Sequence, residues 1–276
     1  MKRIILPVDF SKHSEYSLEV AAALAKKHNS ELIVMHMLEL SESIFTATNS
    51  DKSEETAFMF MLANKKFNAF LDKPFLEGIS VKPMIKHHKV LKEVDEVAKD
   101  INADLIIMGS RGENVDFSFF TGSNTEKIIR YSDTPVLVVK SRLENVNFKS
   151  IVLALNFETE SIAATKKAVK LLSELGSDIH LLHVNLPGTG FLRTPARKEK
   201  VNTFLKSADL EHLKDKVVYI SDYSVEDGVL SHAEGIDASA IAMVTHGRTG
   251  LSHFFEGSIS EDLVSSAERP VFTFKQ

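Results

Sequence analysis

The sequence predicts an α/β fold written twice: two tandem, doubly wound, Rossmann-like domains, each with a parallel five-stranded sheet. Three observations carry this prediction. Short, wholly apolar runs alternate with amphipathic helical patterns, the alternation recurs about halfway along, and 276 residues suffice for two domains of ordinary size. Strand–helix alternation implies βαβ crossovers and hence parallel strands buried on both faces.

The first copy offers strand runs at Ile4–Val8, Leu32–Met37, Val81–Ile85, Leu105–Met108 and Val136–Val139. Each is too short and too apolar for a surface helix. Between the first two, Leu18, Ala21, Ala22 and Ala25 fall at i, i+3, i+4 and i+7, so one helical stripe faces the sheet. Met59, Phe60, Met61 and Phe67 predict the buried side of a helix in the 51–73 stretch. Val90–Lys99 and Glu126–Tyr131 supply the later helices.

The second copy repeats this plan with strand runs at Ile151–Leu155, Ile179–Val184, Val217–Ile220, Ala240–Val244 and Val271–Phe274. Its first helical stripe is Ala168, Leu171, Leu172 and Leu175. Asp9 matches Asn156 and His36 matches His183, both at an offset of 147. Near the C-terminal ends, Gly112, Gly122-Ser123 and Pro135-Val136 match Gly247, Gly257-Ser258 and Pro270-Val271 at an offset of 135. The second copy is therefore 12 residues shorter in its middle. The polar Ser141–Ser150 stretch is the expected linker, which sets the domains at 1–143 and 149–276.

Bulk properties narrow the function. The net charge of −5 opposes binding to nucleic acid or an anionic membrane. With no cysteine, disulfides, thiolate zinc sites and cysteine nucleophiles are excluded. The apolar run after Lys2-Arg3 stops at Asp9, too early for a secretory signal. No apolar stretch reaches membrane-spanning length. The reading is a cytoplasmic protein.

In open α/β sheets, ligands bind beyond the carboxyl ends of the strands. Asp9 follows the first strand, and Met108-Gly109-Ser110-Arg111-Gly112 follows the fourth. After nine intervening residues come Gly122-Ser123-Asn124-Thr125-Glu126. The closely spaced glycines permit a sharp turn and close ligand approach. Unpaired amides at the start of the next helix form an anion site, to which Ser123 and Thr125 could add hydroxyl donors for phosphate. Asp9 is placed to accept a hydrogen bond from an adenine amino group. Each part also has a plain structural reading. Ser123 and Glu126 form a capping box, Ser258 and Glu261 form another, and Asp9 alone is a good helix cap.

The combined pattern resembles the universal stress protein family, whose nucleotide-binding members carry Gly-x-x-Gly, nine residues, then Gly-Ser/Thr. Gly109, Gly112, Gly122 and Ser123 match that spacing, and Pro7-Val8-Asp9-Phe10-Ser11 resembles the family's first strand end. The resemblance implies strand order 3-2-1-4-5 and two domains paired through their last strands. Here those are Val136–Val139 and Val271–Phe274, forming a pseudo-dimer within one chain. It implies Asp9 against adenine, with Pro7, Val8 and Met37 around it, and Met108 and Gly109 along the ribose. Gly112, Gly122, Ser123, Asn124 and Thr125 would hold phosphates. ATP is the implied ligand, with AMP or ADP as variants and Mg²⁺ as an accompanying cation.

The second copy departs from this pattern. Asn156 replaces the acid and Val244 replaces the first glycine, which predicts a weak or dead second site. If the glycine position needs positive φ, valine there costs about 1–2 kcal/mol. No P-loop is present, so phosphate charge falls to backbone amides and a metal ion, with Arg111 and Arg130 as lesser helpers. His36 and His183, inside apolar strands, read as core histidines. His87-His88 and His246 show no metal-ligand spacing, and Leu186-Pro187-Gly188-Thr189-Gly190 reads as a flexible loop. His253, Phe254 and Phe255 read as a packed or interface loop. The expected function is a nucleotide-binding stress-response regulator with an unidentified protein partner, a possible homodimer, and slow hydrolysis at most. Glu113 and Asp116 offer no convincing catalytic base. The alternatives are a nucleotide-independent scaffold or a nucleotidyl-transfer enzyme of related fold, the latter weakened by the lack of a His-x-Gly-His motif.

Overall fold

The computed structural model describes residues 1–38, 49–87, 90–110, 122–245 and 263–276. The first copy supplies β1 (Arg3–Val8), α1 (Lys12–His28), β2 (Glu31–Leu38), α2 (Asn49–Leu71), β3 (Val81–His87), α3 (Val90–Asp100), β4 (Leu105–Gly109), α4 (Gly122–Tyr131) and β5 (Val136–Val139). The second supplies β6 (Ser150–Ala154), α5 (Ile162–Glu174), β7 (Asp178–Asn185), α6 (Thr194–Ser207), β8 (Val217–Ser221), α7 (Val225–Gly235), β9 (Ala240–Thr245) and β10 (Val271–Lys275). The chain divides into two units, Met1–Ile128 with Val139–Val146, and Ile129–Val138 with Asn147–Gln276.

In the first unit β1 is central. It runs parallel to β2, from Arg3↔Glu31 to Val8↔His36, and parallel to β4 through Ile4↔Leu105. β3 flanks β2, again parallel. The carbonyl of Val139 accepts the Ser110 N–H at 3.0 Å, which sets the end of β5 beside β4. The order is thus 3-2-1-4-5. Every β1 residue after Arg3 is buried, as expected of a strand covered on both faces. The α1 stripe Leu18, Ala21, Ala22 and Ala25 is buried against this sheet. Ser11 caps the helix by accepting the Ser14 N–H at 3.2 Å, and Asn29 ends it in the left-handed region.

The second unit repeats the order. β6 pairs in parallel with β7 and β9, β8 lies outside β7, and β10 lies outside β9. β10 also pairs antiparallel with β5, through Val271↔Val138, Phe272↔Leu137 and Thr273↔Val136. Lys275 Nζ secures this edge by donating to the Tyr131 carbonyl (2.9 Å) and Asp133 Oδ1 (2.8 Å). Phe148, at the end of the expected linker, is buried edge-on against Phe272 at 5.2 Å.

α4 begins at Gly122, with Ser123 in its first turn. Two local expectations are corrected. On α2, Phe67 is buried with Ala63 and Phe70, but Met61 points outward at 62% exposure; the inward stripe follows the spacing of 63, 67 and 70. The Leu186–Gly190 segment is built around a 3₁₀ turn, Gly188–Gly190, and is pinned by a buried asparagine described below.

Candidate functional site

β1 ends at Val8, abreast of His36 on β2. One residue further, Asp9 stands abreast of Met37, while the β1–β4 register carried forward sets Val8 abreast of Gly109. Asp9 therefore occupies the carboxyl rim of the sheet between the ends of β2 and β4. Its Oδ1 accepts the Ser11 N–H at 3.0 Å and the Ser14 hydroxyl at 2.6 Å. Ser14 Oγ in turn accepts the Asp9 N–H at 3.0 Å. One carboxylate oxygen is thus committed to the first turn of α1, and Oδ2 lies outside these bonds. Asp9 is a turn-forming residue and a rim carboxylate together.

The turn is completed by Phe10, held at φ 64°. A left-handed conformation costs a non-glycine residue about 1–2 kcal/mol. The ring is fixed there by His36 at 4.3 Å, Phe67 at 5.2 Å and Phe70 at 5.4 Å. His36 is buried and its Nδ1 lies 2.8 Å from the Val8 carbonyl. A carbonyl only accepts, so Nδ1 carries the proton. Burial pushes this histidine below its ordinary pKa, and Lys66 adds to the effect, so the ring is neutral at pH 7.

Gly109 is the second element of the rim. A Cβ added there would lie 3.0 Å from both the backbone carbon and the oxygen of His13. Its φ is not in the left-handed region; positive φ among the described glycines is confined to Gly78, Gly176 and Gly188. The conditional expectation of positive φ is therefore corrected. Glycine is required here because the first turn of α1 sits directly on the end of β4.

The remaining expected residues fall as follows. Pro7, Val8, Met37 and Met108 are buried, their side chains part of the core directly beneath the rim. Gly122, Ser123, Asn124 and Thr125 form the first turn of α4. Thr125 is buried, and its hydroxyl has no hydrogen-bond partner among the described residues. Arg130, in the last turn of α4, has its Nε buried without one. Gly112, Arg111, Glu113 and Asp116 lie outside the described residues, as do His88, His246, Gly247, His253, Phe254, Phe255, Gly257, Ser258 and Glu261. Among the described residues, no three His, Asp or Glu side chains gather to hold a metal.

The second unit shows what the same rim becomes with other residues. Asn156 is 5% exposed; its Oδ1 accepts the Glu158 N–H at 3.1 Å, repeating the Asp9–Ser11 bond. Phe157 repeats Phe10 at φ 54° and packs on His183 at 5.7 Å and Phe204 at 5.3 Å. Val244 is buried where Gly109 stands in the first unit. A 3₁₀ turn, Thr159–Ser161, precedes α5, which has no side-chain cap. Asn156, His183 and Val225 line a small space of about 10 Å³, room for about one water. Asn156 Nδ2 and His183 Nδ1 are buried there with no hydrogen-bond partner among the described residues. Burial, with Lys200 and Arg197 nearby, drives the His183 pKa down to about 4.

Sequence reasoning missed His13 and the role of Phe10. Phe10 had a visible signal, since both copies place phenylalanine directly after the rim residue. His13 had none, because its part is played by backbone.

Comparison with known proteins gives consistent findings. The sequence model of the universal stress protein family matches residues 1–140 and again 147–275. A universal stress protein of Methanocaldococcus jannaschii is 33% identical over 156 residues, covering 51% of this chain and 96% of that protein. One from Synechocystis is 25% identical over 298 residues, covering all of both. In fold, the chain is similar to a universal stress protein from Archaeoglobus fulgidus, with a TM-score of 0.71, 21% identity, and coverage of 99% of this chain and 96% of that one.

Proposed function

Because this chain belongs to the universal stress protein family, its sequence matching twice in tandem, we propose that it is a stress-response regulator that binds an adenine nucleotide in its first copy. The observation that carries the reading is the position of Asp9. It presents a carboxylate at the sheet rim, between the end of β2 and the bare backbone of Gly109, where doubly wound folds receive ligands. The unpartnered Thr125 hydroxyl in the first turn of α4 is a further fit to an anionic ligand.

On this reading Asp9 receives the adenine amino group, Met37 and Val8 support the base from below, and Met108 and Gly109 border the ribose. Gly112 and the Gly122–Thr125 turn bind phosphates, with Mg²⁺ neutralising part of their charge. The protein binds and reports; hydrolysis is slow at most, because no described residue is placed as a base for an attacking water. Residues 1–143 and 149–276 are the two domains, and the second binds nucleotide weakly or not at all, because Asn156 and Val244 stand where Asp9 and Gly109 do in the first. A cytoplasmic location belongs to the same proposal. So does a protein partner that senses the Gly112–Gly122 segment. Among the described residues, no helix is long and apolar enough to cross a membrane.

The test is mass spectrometry of small molecules released from the purified protein, followed by calorimetric titration with ATP, ADP and AMP in the presence of Mg²⁺. One adenine nucleotide per chain, lost in Asp9→Ala, is the expected result. Protein that is isolated empty and gives no heat with any of the three overturns the proposal. The replacements Asn156 and Val244 in the second copy lend weight to one rival, a nucleotide-independent scaffold, which predicts that empty outcome with partner binding intact.

A further inference from the structure

The second unit carries a hollow of about 280 Å³ at the carboxyl ends of β7 and β8, sharing no lining residue with the small Asn156–His183–Val225 space. Its lining is Asn185, Pro187, Phe191, Ser221, Asp222 and Tyr223. Two of these are aromatic rings left largely in solvent, Phe191 at 55% and Tyr223 at 89% exposure. Exposing a large ring forgoes its burial energy, so paired exposed rings beside a concavity call for a reason.

Neither ring is on a loose segment. Asn185 is buried and donates from Nδ2 to the Leu192 carbonyl (3.1 Å), while its Oδ1 accepts the Leu192 N–H (3.0 Å). That double bond closes the Pro187–Phe191 turn and presents Phe191. On the other wall, Asp222 Oδ1 accepts the Tyr223 N–H at 2.7 Å, and the next residue, Ser224, caps α7 by accepting the Asp227 N–H at 2.9 Å. Tyr223 is thereby fixed to a helix start. The first copy has Leu38 where Asn185 stands, so the asparagine bonds have no counterpart at that position.

The chemistry of the walls selects a ligand class. Asp222 is the one carboxylate among the lining residues, and no lysine, arginine or histidine lines the hollow. Aromatic faces carry negative charge at their centres and attract cations, planar guanidinium groups above all. The same unit already uses that contact internally, with the Arg197 guanidinium 4.9 Å from the Tyr219 ring centre. We propose that this hollow is a binding site for a small organic cation of the alkylguanidinium class, its plane against Tyr223 and Phe191 and its N–H groups toward Asp222. The site is independent of the nucleotide reading, since it shares no residue with the first unit.

The probe is N-ethylguanidinium, followed by ligand-observed NMR on the full chain, with N-ethylurea as the uncharged isostere. Wild type should give saturable binding with upfield-shifted ethyl protons from the ring currents, and N-ethylurea should bind at least fivefold more weakly. Phe191→Ala and Tyr223→Ala should each weaken binding roughly two- to fivefold, and Asp222→Asn up to about fivefold. All three residues lie at the surface, so far-ultraviolet circular dichroism serves as the folding control. Absence of saturable binding, equal binding of the urea, or a Phe191→Ala/Tyr223→Ala double variant that binds like wild type would overturn the proposal.

Discussion

Replacing Gly109 by alanine adds one methyl group at a point where the backbone of His13 stands 3.0 Å away. Ordinary contacts of that kind lie at about 3.4 Å or more, so the first turn of α1 must retreat by a few tenths of an ångström. The opposing atoms are main chain and cannot rotate away. Over-packing of this sort costs about 1–3 kcal/mol. At about 2 kcal/mol, the first unit should melt roughly 4–8 °C lower. The disturbance should centre on Ser11–Glu15, which carry the cap and the Asp9 bonds. With two units in one chain, a global melting curve mixes transitions. Residue-resolved hydrogen exchange is therefore the suitable assay, with wild type and Gly109→Ala compared at several urea concentrations. If the Ser11–Glu15 amides keep wild-type protection in Gly109→Ala, the close-approach account of this glycine is wrong.

Other outcomes follow from the same geometry. His183 binds a proton with pKa about 4 when folded and 6.5 when unfolded. The unfolded chain therefore takes up the proton first, and stability that is full above pH 6.5 should be lost as pH falls through about 4, amounting to about 3 kcal/mol. An NMR titration placing His183 near 6.5, or an unchanged acid slope in His183→Gln, would contradict this. Asp9→Ala removes an acceptor shared by two donors and should destabilise the first unit by about 1–2 kcal/mol in urea unfolding, whereas Asp9→Asn keeps Oδ1 and should lose less than half as much. Phe10→Gly relieves about 1–2 kcal/mol of backbone strain but forfeits about 3–5 kcal/mol of aromatic packing, so denaturation should show a net loss of about 2 kcal/mol. A stabilised Phe10→Gly protein would mean that the ring cluster contributes little.

The strands were legible because their burial on both faces writes itself as unbroken apolar runs; all ten fall within two residues of the runs read from sequence. The repeat was legible through Asp9/Asn156 and His36/His183, whose positions survive in both rims. Helix starts are less sharply written: the Ser123–Glu126 pattern allows several overlapping first turns, and α4 is bounded at Gly122. Capping motifs constrain local bonding but not which of several overlapping turns the tertiary structure chooses. The reason for Gly109 was hidden for a different cause. Sequence shows that a side chain is absent, not whether backbone conformation or a neighbouring helix demands it, and here the neighbour is main chain from a hundred residues away. The exposed pair Phe191 and Tyr223 was also invisible, because only tertiary structure brings the ends of β7 and β8 together.

The antiparallel seam between β5 and β10 has a bearing on how this protein could be dissected. A fragment comprising the second copy alone would strip β5 from β10 and leave Val271, Phe272 and Thr273 with unmet main-chain donors and acceptors along an apolar border. Such a border is a template for another chain. Expressed by itself, that half should offer the border to a sibling molecule, so a contact held within one chain becomes a concentration-dependent encounter.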